Sequence, residues 1–214
     1  MIKGIIFDMD GVISDTQKIH SSVESILLSK YGVNISPEEI TKKYSGVRTK
    51  DFFAELLKKQ IQAYDLDLLM EEKWKQMEYQ ASLSVQAISG AKELIEYLKV
   101  ENYKLAVASA SKLDYVKQVL KTLGLSDFFS ALVGGDLVKK GKPDPESFLL
   151  AASMLNIDPQ DCLVIEDGMS GMEAAESAGM QCIGLVADID KNYPTKNLVT
   201  SLLQVTPVYI ENML

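Results

Sequence analysis

Four residues near the start, Gly4-Ile5-Ile6-Phe7, form an apolar run that stops at Asp8. A second carboxylate, Asp10, comes two residues on, and then Gly11. A short continuous run rich in Ile and Phe reads as a buried strand of a parallel sheet. Open parallel sheets place their ligand sites beyond the carboxyl ends of such strands, which puts Asp8 at the lip of the sheet. Two carboxylates this close repel unless a positive group lies near them. Mg²⁺, which favours one or two carboxylates plus water and phosphate, is the expected remedy. An ionised Asp can also attack phosphorus, while a neighbouring carboxyl shuttles the proton. An EF-hand loop is a poor rival, because Val12 and Ile19 stand at the loop positions that need oxygen ligands.

The segment after this strand decides the architecture. Between Asp15 and Val85 no strand pattern occurs. Asp15-Thr16 suits the start of a helix reaching about Tyr31, with Ile19, Val23, Ile26 and Leu27 at helical spacing. Ser36-Pro37-Glu38-Glu39 is a capping box with Pro at the first helical position. Thr49 can cap a helix from Lys50 to about Ile61, and another spans Leu66 to Ser82. This run of helices reads as an inserted cap, residues 15–85, on a core made of residues 1–14 and 86–214.

From Gly90 the rhythm alternates. Helices are expected at Ala91–Val100, Leu113–Leu123, Pro145–Asn156 and Gly171–Ala178. Strands are expected at Lys104–Ser109, Ala131–Val133, Cys162–Ile165 and Gln181–Val186. A short strand near Leu198–Leu203 and a helix from Thr206-Pro207 close the chain. The fold class is therefore α/β, a doubly wound parallel, Rossmann-like sheet core with an inserted α-helical cap subdomain.

The strand ends carry the chemistry. Asp8 ends the first strand and Ser109-Ala110-Ser111 the second; Gly134-Gly135-Asp136 comes after the third, with Lys142-Pro143 beyond it. Glu166-Asp167-Gly168 ends the fourth. Phosphoryl transfer asks a protein mostly to position and neutralise phosphoryl oxygens. Ser109 and the Ala110 N–H can donate to those oxygens, Lys142 can balance their charge, and Glu166 and Asp167 can complete a Mg²⁺ site with Asp8 and the Asp10 carbonyl. Taken singly, Ser109 also suits a helix cap and Glu166-Asp167 a dipole-favoured helix start.

The formal net charge of −8 argues against non-specific binding to nucleic acid or anionic membranes. No run of 18 apolar residues occurs, and no signal-like segment precedes the first strand. Cys162 and Cys182 read as buried free thiols. A cytoplasmic monomer acting on a small molecule is expected.

The ordered set of motifs resembles the haloacid dehalogenase superfamily of phosphotransferases over essentially the whole chain. Its first motif reads Asp8-Met9-Asp10-Gly11-Val12, its second Ser109, its third Lys142-Pro143 and its fourth Glu166-Asp167-Gly168. The resemblance implies Asp8 as nucleophile, Asp10 as general acid/base, Asp8, Asp10 and Asp167 as Mg²⁺ ligands, and Glu166 as a further ligand or its neighbour. Within the superfamily the chain is most similar to the β-phosphoglucomutase-like branch, through FDMDGVISDT, His20, Gly46-Val47…Asp51 and ASASK at Ala108–Lys112. That similarity implies substrate contacts from Thr16, His20, Gly46, Arg48, Ala110 and Lys75. Two positions depart from the mutase pattern. Thr49 stands where the pattern has an arginine that grips a second phosphate, with the arginine one place earlier as Arg48. Ser45 stands where it has a lysine.

The reading that results is a Mg²⁺-dependent phosphatase of a small phosphorylated metabolite, a sugar phosphate foremost. The alternative is a β-phosphoglucomutase interconverting β-glucose 1-phosphate and glucose 6-phosphate. A non-enzymatic phosphoaspartate switch fits less well, because such domains lack a large helical insertion.

Overall fold

A computed structural model describes residues 1–58, 64–83, 85–211 and 213. Strand β1 (Gly4–Phe7) is followed by four helices, α1 (Gln17–Ser29), α2 (Pro37–Tyr44), α3 (Thr49–Leu57) and α4 (Leu66–Leu83). The chain then alternates through α5 (Ala91–Val100), β2 (Lys104–Ala108), α6 (Leu113–Thr122), β3 (Ala131–Val133) and α7 (Glu146–Leu155). It ends with β4 (Cys162–Glu166), α8 (Met169–Ser177), β5 (Gln181–Leu185), β6 (Asn197–Val199) and α9 (Pro207–Glu211).

The strands form one parallel sheet in the order β3-β2-β1-β4-β5-β6. This is the doubly wound order, in which the chain works outward from β1 in both directions. The crevice therefore opens between the carboxyl ends of β1 and β4, where Asp8 and Glu166 stand. Strand residues alternate between two cores. Ile5 and Phe7 join Leu105, Val107, Leu163 and Ile165 on one face, and Ile6 joins Ala106, Ala108 and Val164 on the other. The first face continues through Met9, Val12 and Ile13 into the helices after β1, so one apolar core runs from the sheet to Val23, Leu27 and Phe53.

Two threonines at helix starts have partners other than the helix ends the sequence suggests, and two strand bounds differ from the sequence reading. Thr16 occupies the N-cap position of α1 but makes no cap hydrogen bond. Its hydroxyl goes instead to Asp10. Thr49 is the first residue of α3 rather than its cap, and its hydroxyl donates to Glu24 (2.8 Å). The Ser36 capping box of α2 forms as read. The strand expected near Leu198–Leu203 is β6, and Leu202–Gln204 is a 3₁₀ turn capped by Ser201. Glu166 belongs to β4 itself. The expected end of α3 at Ile61 lies outside the described residues. No helix among the described residues is long and apolar enough to cross a membrane.

Candidate active site

At the crevice Asp8 is buried, and its N–H still belongs to the sheet, donating to the Ile165 carbonyl (2.9 Å). The Lys142 ammonium reaches it across the sheet end. Lys142 Nζ lies 2.6 Å from Asp8 Oδ1, 2.8 Å from Glu166 Oε2 and 3.2 Å from the Ala108 carbonyl oxygen. Its three donors are thereby all engaged, and Phe148 lies beneath with its ring centroid 4.7 Å away. The Lys142–Pro143 peptide is cis. Glu166 accepts from Lys142 on Oε2 and from the N–H groups of Asp167 and Gly168 on Oε1 (3.1 and 2.9 Å). A Cβ at Gly171 would stand 1.9 Å from Glu166 Oε2, so the first turn of α8 closes over this carboxylate only because residue 171 has no side chain.

Asp10 sits on the other side of the crevice. Oδ2 accepts from the hydroxyls of Ser111 (2.7 Å) and Ser109 (3.3 Å), and Oδ1 accepts from Thr16. His20 Nε2 stands 3.2 Å from Oδ1, without the alignment of a hydrogen bond. Burial works to raise the Asp10 pKa, but the His20 ring and the surrounding donors outweigh it and hold the carboxyl below its usual range. The two acids of the D-x-D are thus driven apart. For Asp8, burial first and then the Glu166 charge push its carboxyl above the usual range, against the pull of Lys142.

Asp167 completes the site. Gln17 Nε2 donates to its Oδ2 (2.7 Å), whereas its buried Oδ1 has no hydrogen-bond partner among the described residues. Gly11, at φ +95°, makes room for it, since a Cβ there would lie 2.3 Å from Asp167 Oδ2. Burial, then Glu166, then Asp8 hold its pKa well above the usual range. Oxygens of Asp8, Glu166 and Asp167 lie within 4.8 Å of one another. Three clustered carboxylates with one unpartnered buried oxygen and a single neighbouring lysine form a donor set that fits a hard divalent cation.

This arrangement carries a stability prediction. A carboxylate whose folded pKa is raised favours the fold below its unfolded pKa and loses that contribution as pH rises through the folded value. In EDTA, wild-type stability is therefore expected to fall as pH rises above about 4. Asp167→Asn is expected to flatten that decline and to raise the metal-free melting temperature at pH 8 by roughly 2–4 °C, or about 1 kcal/mol. If the three carboxylates hold Mg²⁺, the wild type is expected to melt higher with Mg²⁺ than in EDTA, and the variant to show no such difference. Differential scanning fluorimetry across pH, with EDTA or Mg²⁺, checks both.

A cleft rises over the two aspartates between the sheet and the helices α1–α4. Among the residues anticipated from the sequence, Asp8, Asp10, His20, Gly46 and Ala110 line it. Thr16, Ser109, Lys142, Glu166 and Asp167 stand behind these, tied to Asp8, to Asp10 or to one another by hydrogen bonds. Arg48 and Lys75 lie instead on a larger neighbouring groove with Trp74 and Lys112. The Arg48 guanidinium is fully engaged there. It pairs with both carboxylate oxygens of Asp51 (2.9 and 2.8 Å) and donates to the carbonyls of Gly135, Val138 and Lys139 (3.3, 3.1 and 3.1 Å). It braces α3 against the loop after β3 rather than facing Asp8. A second seam joins the turn after α2 to the start of α8. Ser170 Oγ donates to the Ser45 carbonyl (2.9 Å), and Gln17 bonds both the Ser45 hydroxyl and Asp167.

Sequence reading gives no role to Gln17, Glu24, Lys73 or Ser111. Two of these carry a recognisable signal. Lys73 falls on the buried stripe Leu69, Lys73, Met77, Ala81 of α4, and Glu24 falls among Val23, Leu27 and Leu28 on the buried side of α1. A charge on an apolar stripe asks for a partner, and these two are each other's, 2.9 Å apart.

The fold and the crevice together define a class. The chain belongs to the haloacid dehalogenase-like hydrolases, whose family model matches residues 5–185. Within that family it is an enzyme of the phosphohydrolase and phosphomutase kind, in the β-phosphoglucomutase-like branch. It is similar to a phosphorylated carbohydrates phosphatase of Thermotoga maritima, at 31% identity over 85% of this chain and 84% of that protein. It is equally similar to a β-phosphoglucomutase of Bacillus subtilis, at 31% identity over 86% of this chain and 83% of the other. The crystal structure of a β-phosphoglucomutase from Clostridium difficile superposes with a TM-score of 0.88 at 29% identity, covering 99% of this chain and 96% of that one.

Proposed function

We propose that this chain is a Mg²⁺-dependent phosphatase of a small phosphorylated carbohydrate, working through an aspartyl-phosphate. The observation that carries the reading is the buried Asp8 carboxylate, aligned by Lys142 at the switch point of the sheet, with a separately tuned Asp10 two residues away. In the first half-reaction an Asp8 oxygen attacks phosphorus, the bond to the leaving oxygen breaks, and Asp10 delivers the proton that oxygen needs. His20 Nε2 stands 3.2 Å from Asp10 Oδ1. In the second half-reaction Asp10, ionised again, takes a proton from water. The water oxygen attacks phosphorus, and the Asp8–phosphorus bond breaks, freeing phosphate and the carboxylate. Ser109, Ser111 and Thr16 hold the Asp10 carboxylate in place. Lys142 fixes the attacking oxygen of Asp8.

Asp8, Asp167 and the Asp10 carbonyl would hold Mg²⁺, with Glu166 beside them. The cation would offset the carboxylate and phosphoryl charge that Lys142 alone does not balance. Residues 15–85 act as a cap over a core of residues 1–14 and 86–214. On the cap side Gly46 and His20, and on the core side Ala110, face the substrate. The cap excludes bulk water from the first half-reaction.

His20 against Asp10 also suits a mutase, in which a sugar hydroxyl replaces water in the second half-reaction. Against it, Arg48 is engaged elsewhere and Thr49 is bonded to Glu24. A paired assay with Mg²⁺ decides. One arm follows phosphate release from sugar phosphates, and the other follows glucose 6-phosphate formed from β-glucose 1-phosphate primed with glucose 1,6-bisphosphate. Phosphate release is expected to exceed isomerisation at least tenfold. Dominant glucose 6-phosphate formation would make the chain a mutase, and no turnover in either arm would refute both readings.

A further inference from the structure

The roof of the cleft carries a buried charge pair that the reaction does not use. Lys73 of α4, Glu24 of α1 and Thr49 of α3 are 1%, 5% and 6% exposed, and all three line the same cleft as Asp8 and Asp10. Glu24 Oε1 takes both Lys73 Nζ (2.9 Å) and the Thr49 hydroxyl (2.8 Å), and Lys73 also donates to Thr49. Glu24 Oε2 accepts no hydrogen bond among the described residues. His20 Nδ1 lies 4.0 Å from Glu24 Oε1, and the Lys73 ammonium is 4.3 Å from the Trp74 ring centroid.

We propose that Glu24, neutralised by Lys73 and oriented by Thr49, selects substrates whose non-phosphate end is an uncharged polyol and rejects those bearing a second anionic group. The inference rests on the phosphatase reading and refines its substrate. The cluster has no net charge, so it offers no attraction to a second phosphate or a carboxylate. Such an anion would lose its water beside a carboxylate whose counter-ion is already engaged. Hydroxyl groups face no such penalty. One can donate to Glu24 Oε2, and another can accept from Lys73, so both partners stay satisfied. Thr41 and Tyr44 add further hydroxyls to the same wall.

The test compares kcat/KM for glucose 1-phosphate and glucose 6-phosphate with that for glucose 1,6-bisphosphate, 2-phosphoglycolate and phenyl phosphate. In the wild type the better hexose monophosphate is expected to exceed the bisphosphate and phosphoglycolate at least tenfold. Glu24→Gln leaves Lys73 without its counter-charge and is expected to shift that ratio towards the anionic substrates at least tenfold, chiefly through KM. A folded Glu24→Gln protein whose ratio moves less than twofold would overturn the proposal. Should that variant not fold, Glu24→Gln/Lys73→Met, uncharged at both positions, decides. Its preference for hexose phosphate over phenyl phosphate is expected to fall at least tenfold, and an unchanged preference overturns the proposal. Absence of phosphate release from every ester would sink the phosphatase reading itself. The selectivity is then read from thermal shifts of the wild type with the same compounds, and equal shifts for neutral and anionic ends would overturn it separately.

Discussion

Asp8→Asn is expected to cut phosphate release by about 10⁴-fold or more at saturating substrate while leaving the fold in place. The amide keeps the shape of the carboxylate, and its oxygen can still accept from Lys142 Nζ, which lies 2.6 Å from Asp8 Oδ1 in the wild type. What is lost is the nucleophile, so no aspartyl-phosphate forms, and substrate binding should survive the loss of turnover. Phosphate release, a calorimetric titration with the same sugar phosphate and a melting curve together make the check. Loss of activity with retained binding and a melting temperature near that of the wild type places the defect in the chemistry. Activity within tenfold of wild type would show that some other group attacks phosphorus, and the aspartyl-phosphate mechanism would fall.

Lys142→Met is expected to lower folding stability by about 3–5 kcal/mol, because it leaves two buried carboxylates without their cation. Lys142 and Asp8 are 3% exposed and Glu166 is fully buried, so water cannot take over. Methionine keeps the apolar contact with Phe148, which isolates the electrostatic part. Burial works to lower the lysine's pKa, but Asp8 and Glu166 outweigh it and hold it above the ordinary lysine range. The ammonium is therefore charged throughout the range in which the protein would be studied. Two controls sharpen the result. Mg²⁺ should recover part of the loss, and Glu166→Gln in the Lys142→Met background should recover more of the metal-free stability than Glu166→Gln gains alone. Urea unfolding of the four variants measures the coupling. Additive effects would mean that the two groups do not depend on one another.

Much of this architecture is legible in the sequence, for reasons that differ between elements. The parallel sheet can be read because β1, β2 and β4 are continuous apolar runs, which only a strand buried on both faces requires. Asp8 and the Glu166-Asp167 pair can be read because each comes after such a run, and Lys142 because Pro143 follows it. The helices after β1 can be read as helices, but their polar contacts cannot. Thr16 and Thr49 look like caps in sequence, because a cap needs only local geometry. Both hydroxyls are instead claimed by partners that folding brings in, Asp10 and Glu24. Arg48 cannot be placed from sequence either, since beyond Asp51 its partners are carbonyl oxygens some 90 residues away, and carbonyls leave no mark in a sequence. The Lys73–Glu24 pair is a long-range contact with a local sign, a charge on the apolar side of each helix.

Strand β1 is four residues long, and its side chains alternate between two separate cores, with Asp8 taking the next place after Phe7. A single inserted or deleted residue within it would exchange the two sets of apolar side chains and turn the adjoining aspartate to the opposite face of the sheet. Packing and chemistry would then fail together. Descent in a protein built this way can therefore try new side chains along the strand one at a time, but it cannot try a new length. The spacing between Gly4 and Asp8 is thus held by packing and chemistry at once, whatever substrate the cleft over it accepts.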